Sequence, residues 1–414
     1  MNWISLAFRN LTRNARRSIT TIAAVALGFS AVNIFGGFAA YMFASIQDAH
    51  IYEQINGHVQ VWKKDGRGYG GMELAEHLLT KADIEEIEAF AENDDRVEIA
   101  VRMLEVQGNV DYEGNSGNFM CQAMVPSEKD LIHYRSTALR SKDGKFFEGE
   151  AITDETLDGI AITPGMRDRM KLEFGDQVVL LAQTVEGLLN GEDARVVQVL
   201  DVVSQALDNL YIFMPLDLAQ RLYDTDSVSS VRLLLYNDDD TDAVLKSFQE
   251  KFADKEWDIL PWYDVSKLYK RTKKMFNIIF GLVFAIIAII VTMSVLNTIG
   301  MAVVERTREI GTLRAIGLKR PGVIKLFGVE SAMLGIIGAL IGLAITYGFS
   351  YIVHTISPEW EPPVTARSVV WEIRLVPVYL AITSILLIVF TALAAIAPAR
   401  RAARQSIVDS LGHV

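Results

Sequence analysis

Residues 276–304 read FNIIFGLVFAIIAIIVTMSVLNTIGMAVV, 29 consecutive positions without a charged side chain. A bilayer core is crossed by about 20 predominantly apolar helical residues, so this stretch, extended by Met275, is a membrane span, 275–304. Three more runs of the same kind accompany it. Residues 19–46 carry no charge, residues 326–356 carry only Glu330, and residues 375–399 carry none. Several are longer than the lipid requires, which calls for tilt or for extension beyond it. The first run follows a basic leader, as a signal peptide would. It is nevertheless longer than the roughly 7–15 apolar residues of a signal core. The sequence therefore predicts an α-helical integral membrane protein with four transmembrane helices.

Charge is segregated as sharply as apolarity. The 414 residues are 50% hydrophobic and 22% charged, with a formal net charge of −11. Residues 47–274 hold 25 Lys and Arg against 44 Asp and Glu, whereas the rest of the chain holds 15 basic and 7 acidic residues. This pattern excludes an ordinary cytosolic enzyme, a disordered chain and a nucleic-acid binder, which would show a basic domain. Cys121 is alone and closes no intramolecular disulfide.

Positive flanks mark the cytoplasmic side. Residues 1–18, an amphipathic segment, carry Arg9, Arg13, Arg16 and Arg17 without an acid. Residues 305–325 hold six basic residues against two acidic ones, and the 400–414 tail holds Arg400, Arg401 and Arg404 against Asp409. The 357–374 loop has two basic and three acidic residues. Both termini and the 305–325 loop are thus expected in the cytoplasm, with the 47–274 insert and the 357–374 loop outside.

The insert reads as a large mixed α/β extracytoplasmic domain between the first and second spans. GHVQVW (57–62) alternates like a strand. Thr80-x-x-Asp83 resembles a capping box that opens a helix with Ile84, Ile87 and Phe90 on one face. Residues 97–106, 195–203 and 228–236 read as strands. Pro215 stands at a helix N1 position, and Asp238-Asp239-Asp240 precedes a helix through Phe252. The two ends of the insert form one lobe, and residues 111–192 form a second, inserted lobe. Residues 184–192 (TVEGLLNGE) read either as a protruding hairpin or as an ordinary turn. Lys267–Lys274 runs into the second span without Pro or Gly. It is either a stiff continuation of that helix or a basic anchor at the lipid interface.

No recognisable catalytic motif is present. G-x-x-x-x-G-K-[ST] is absent, since Gly144-Lys145 lacks the upstream glycine and the hydroxyl residue. H-E-x-x-H, paired cysteines and G-x-S-x-G are also missing. The six histidines show no close pair at metal spacing, and His58, in an alternating strand, reads as structural. No catalytic residue, no metal site and no cofactor of its own is expected.

The informative motif is the loop that follows the second span. Glu305-Arg306-x-Arg308-Glu309-Ile310-Gly311-x-Leu313-Arg314-Ala315-x-Gly317 is a short amphipathic segment. Ile310, Leu313 and Ile316 can share a helical face, Glu305 and Glu309 stack at i,i+4, and Pro321-Gly322 terminates the segment. Topology alone requires basic residues but neither the glutamates nor the apolar stripe. A helix docked in a soluble partner uses all three.

This loop, the four spans, the leader LAFRNLTRNARRS and the tail Pro398-Ala399-Arg400-Arg401-Ala402-Ala403-Arg404 resemble the FtsX/MacB/LolC–LolE family of bacterial ABC-transporter permeases. GIAITPGMRDRMKLEFGDQVVLL and RVVQVLDVVSQALDNLYIFMPLDLAQRL, in the middle of the chain, share the likeness. The resemblance implies a homo- or heterodimeric permease of the bacterial inner membrane, with ATP and Mg bound by separate ABC ATPase subunits. Residues 305–317 would be the coupling helix. Glu305, Arg306, Arg308 and Glu309 would supply polar contacts to the ATPase, Ile310 and Leu313 would pack against it, and Arg314 belongs to the same motif. The mechanism implied is mechanotransmission. GHVQVW looks closest to the lipoprotein-release branch, in which a lipidated protein enters between spans and passes to a periplasmic carrier. A macrolide-exporter-type permease with a periplasmic adaptor and an FtsX-like scaffold that activates a cell-wall hydrolase remain alternatives. In the third span, Gly335, Gly338 and Gly342 permit close helix packing. Glu330 is an intramembrane acid, expected to reach the interface or to pair near Lys325.

Overall fold

The computed structural model describes residues 3–13, 15–68, 74–136, 147–200, 207–360 and 369–406. Among them are four helices long and apolar enough to cross a membrane. They are Ala15–Asp48, Lys267–Glu305, Arg320–Ile356 and Pro377–Ala394. A short helix, Trp3–Arg13, precedes the first, and another, Ile396–Arg404, follows the last. The chain divides into two compact units, one built on these helices and one on residues 44–271 with 360–369.

In the helical unit, Val25, Phe29, Val291, Val295, Phe327 and Leu387 share one apolar core. Several polar side chains inside it are paired. Thr21 and Thr298 hydroxyls lie 2.5 Å apart. The Thr383 hydroxyl donates to Asn33 Oδ1 at 3.0 Å, and the Ser30 hydroxyl to the Gly342 carbonyl at 2.9 Å. Ile278, Leu282, Ile286, Ile289 and Met293 on the second span are exposed on its outer surface, as an apolar environment allows. The fourth candidate span runs Pro377–Arg404, with a break at Ala395 between helix Pro377–Ala394 and an amphipathic helix from Ile396. Pro398 explains the break, because it has no N–H for the Ala394 carbonyl and its ring crowds that turn.

The other unit is a ten-stranded sheet with helices. The strands are β1 Val59–Lys63, β2 Val97–Tyr112, β3 Asn115–Ala123, β4 Phe147–Gly149, β5 Gly159–Ile162, β6 Gln177–Gln183, β7 Leu189–Leu200, β8 Tyr211–Phe213, β9 Ser230–Leu235 and β10 Trp257–Pro261. Their order is β10-β1-β9-β2-β3-β8-β5-β7-β4, with β6 bridging β2 and β7. β2 is the seam. Its first half pairs with β9 (Val97–Met103), and its second half with β3 (Leu104–Tyr112) and β6 (Asn109–Asp111).

Residues 111–192 share their strands with the rest of the domain: β2 enters the range from Val97, β7 leaves it at Leu200, and 44–271 belong to one compact unit. Glu113 and Gly114, both at positive φ, form only the two-residue turn between β2 and β3. Three smaller expectations also shift. The strand expected at 97–106 runs on to Tyr112. The strand expected at 195–203 spans Leu189–Leu200, and Val203 lies outside the described residues. Pro215 is the N-cap of helix Leu216–Tyr223 rather than its first residue.

Local signals explain the domain helices. The Thr80–Asp83 capping box is present in both directions and opens helix Lys81–Glu92, whose Ile84, Ile87 and Phe90 are buried. Asp238–Asp240 form a single tight turn before helix Thr241–Lys251. Phe90, Phe248, Phe252 and Trp257 stack into one aromatic cluster. His58 is fully buried and structural. Its Nδ1 accepts the Leu235 N–H at 3.1 Å, so Nε2 carries the proton and donates to Asp238 at 2.8 Å. Gln47 and Tyr52 also donate to that carboxylate, at 2.7 and 2.9 Å. The His58 hydrogen bond foremost holds Asp238 below the usual carboxylate range.

Candidate functional site

The second-span helix ends at Glu305, Arg306 breaks it with φ −108 and ψ 16, and a nine-residue helix runs Thr307–Ala315. Gly317, at φ +109, turns the chain where a side chain would be strained. Pro321-Gly322 does not end this segment, contrary to the expectation from turn chemistry. Pro321 sits in the first turn of the third-span helix, where its missing N–H costs nothing.

The apolar positions of the loop do not share one fate. Ile310 is only 5% exposed and belongs to the core of the helical unit, Leu313 is half-buried, and Ile316 is 80% exposed. The expected single stripe is thus split. Ile310 anchors the loop helix inward, and Ile316, with Arg308 and Thr312, forms its open surface.

The charged positions divide in the same way. Arg306 is buried, and its Nη1 lies 3.2 Å from Glu330 Oε1, with side-chain exposures of 6% and 4%. Its Nη2 donates to the Asn10 carbonyl at 3.0 Å. A guanidinium so enclosed offers nothing to a soluble partner, which corrects the surface role expected of Arg306. Glu330 is correspondingly paired with Arg306 within the fold. Glu305 and Glu309 do not stack on one helix, since the break at Arg306 separates them. Each meets an arginine of the N-terminal segment, Glu305 with Arg17 and Glu309 with Arg13, both at 2.7 Å. Arg314 donates to the Gln405 carbonyl beyond the last helix. Asn10, Arg13 and Arg17 were missed as members of the site because a basic leader also reads as a topology signal.

The three glycines face other helices at backbone range. A Cβ on Gly342 would lie 2.7 Å from the Ala26 carbonyl oxygen and 2.8 Å from the Phe29 ring. One on Gly338 would strike Val25, and one on Gly335 would strike Thr391. Gly338 and Gly342 therefore seat the first span, and Gly335 the fourth.

Among the described residues no group of His, Cys, Asp or Glu could hold a metal ion. Gly144-Lys145 lies outside the described residues. A wholly apolar slot bounded by Gly28, Phe29, Phe284, Val291, Leu387 and Phe390 encloses about 20 Å³. Residues 184–188 form a tight β6–β7 turn, with Leu188 and Leu189 exposed.

Residues 18–251 match the MacB-like periplasmic core domain, and residues 279–407 match the FtsX-like permease C-terminal domain. The chain is 34% identical to the ABC transporter permease YtrF of Bacillus subtilis over 137 residues, which cover 32% of this chain and 31% of that one. It is 22% identical to the macrolide export ATP-binding/permease protein MacB of Agrobacterium fabrum, over 96% of this chain and 58% of that one. The chain thus spans less than two thirds of either relative. The periplasmic region of MacB from Actinobacillus actinomycetemcomitans aligns with 53% of this chain and 94% of that structure, at 10% identity and a TM-score of 0.36. A membrane-spanning unit joined to a MacB-like core over more than half the chain settles the family: this protein belongs to the ABC transporter permeases of the MacB/FtsX type.

Proposed function

We propose that this chain is the permease subunit of an ATP-driven transporter that works by mechanotransmission, releasing lipoproteins or other amphiphiles from the membrane. The Thr307–Ala315 helix is its coupling helix, and a separate ATPase subunit binds ATP and Mg. Its termini and this loop face the cytoplasm, as the arginine-rich flanks favour. The observation that carries the reading is the exposed Ile316 at the end of a short helix that also exposes Arg308, while Ile310 on the same helix is fixed into the permease core. An apolar anchor on a segment that also carries charge is what a groove in a soluble partner grips.

Membership of this family favours a dimer as the working unit. The match to the MacB-like core favours a second reading, efflux of the macrolide-exporter kind with a periplasmic adaptor.

Affinity purification of the full chain in mild detergent, with mass spectrometry of proteins and lipids, tests these proposals. An ABC ATPase should co-purify, and the chain freed of it should hydrolyse no ATP. Bound lipoprotein supports the first substrate, and an adaptor without lipoprotein supports the second. Hydrolysis by the chain alone would overturn the separate-motor assignment.

A further inference from the structure

We infer that Arg306 and Glu330 are positioning residues that lock the N-terminal helix to the loop helix, so that the two move as one body. The inference rests on the coupling reading for its purpose, but its geometry is independent of any motor.

Three segments distant in sequence meet at this pair. Arg306 lies between the second span and the loop helix, Glu330 lies a few turns into the third-span helix, and Asn10 belongs to helix Trp3–Arg13. The guanidinium bridges the other two, with Nη1 on the Glu330 carboxylate and Nη2 on the Asn10 carbonyl. Two enclosed ions are expensive to desolvate, and apolar side chains of similar volume often stabilise such a site equally well or better. The pair is therefore a poor source of stability. What apolar residues could not supply is direction. A planar fork fixes a carboxylate and a carbonyl at set angles.

The surface pair Arg13–Glu309 joins the same two helices, and Arg17–Glu305 joins the first-span helix to the end of the second, but both pairs are solvent-exposed. Exposed pairs contribute little, so the enclosed fork sets the register and they follow it. A force on the loop helix is then passed to the N-terminal helix, which leads into the first span, as well as to the second and third spans.

The test uses the full chain in lipid nanodiscs without any ATPase. Arg13→Cys and Glu309→Cys are introduced together, which removes that surface pair in every sample, and closure by a short bifunctional maleimide is timed. The native Cys121 is buried and stays silent. Adding Glu330→Gln, or Arg306→Met with Glu330→Leu, should slow closure roughly tenfold, the loss expected when one well-made charged contact no longer biases the population. Glu330→Asp, which keeps the charge, should stay within about threefold of the reference.

The apolar pair should retain the reference unfolding temperature, so it carries the test if Glu330→Gln fails to fold. Closure at the reference rate in the folded apolar pair would overturn the inference. A Glu330→Asp chain as slow as Glu330→Gln would overturn it too. If the lock holds and no ATPase co-purifies, the motor reading fails alone.

Discussion

Replacing Ile316 by aspartate separates docking from folding. The side chain is 80% exposed, so nearly all of the ~1.5–3 kcal/mol that full burial of an aliphatic side chain yields is still available to a partner. Aspartate forfeits that contact and brings a carboxylate that must be desolvated. The expected loss is about 2 kcal/mol or more, roughly thirtyfold in Kd. The unfolding temperature of the chain alone should not move, because nothing within the fold rests on Ile316. Ile310→Asp is the mirror experiment. At 5% exposure it places a carboxylate in the permease's own core, at a cost of about 3 kcal/mol or more, and should appear as lost folded yield. Leu313, half-buried, would mix the two effects. The assay is co-purification of the ATPase against tagged variants, alongside thermal unfolding in detergent. An Ile316→Asp chain that retains the ATPase at the parental level would refute the assignment of this surface. So would an Ile310→Asp chain that keeps its stability and loses the ATPase.

Other outcomes follow from particular contacts. Gly338→Leu should collapse folded yield because the new side chain meets Val25, whereas Gly348→Ala, with open space beside it, should be neutral in the same unfolding assay. Thr80→Ala removes one half of a reciprocal cap and should cost about 1 kcal/mol in denaturant unfolding. Asp238 has a folded-state pKa below its unfolded value, so its stabilising contribution is present above the unfolded pKa, about 3.9, and is lost as pH falls through the lower folded value. Asp238→Asn should flatten the acid limb of the stability profile below about pH 4.

The membrane architecture was legible because lipid imposes its demand locally. An unbroken run of about 20 apolar residues suits a bilayer and little else. The Thr80–Asp83 cap and the alternation of GHVQVW were legible for the same reason, since each rests on neighbours within a few residues. The coupling segment was legible as a place but not in its orientation. Whether Arg306 points out or in depends on Glu330, 24 residues later, and on Asn10, 296 residues earlier. Periodicity could align Ile310 with Ile316 but could not say that helices elsewhere in the chain bury one and leave the other open. The extent of β2 past 106 was not legible, because its second half is held by β3 and β6, strands whose pairing no local pattern announces.

That strand has a mechanical consequence. β2 runs unbroken from Val97 to Tyr112, but its partner changes from β9 to β3 between Met103 and Leu104. A pull on either half of the sheet is carried across that point along the peptide bonds of β2 itself, so the two halves cannot be drawn apart unless that strand gives way.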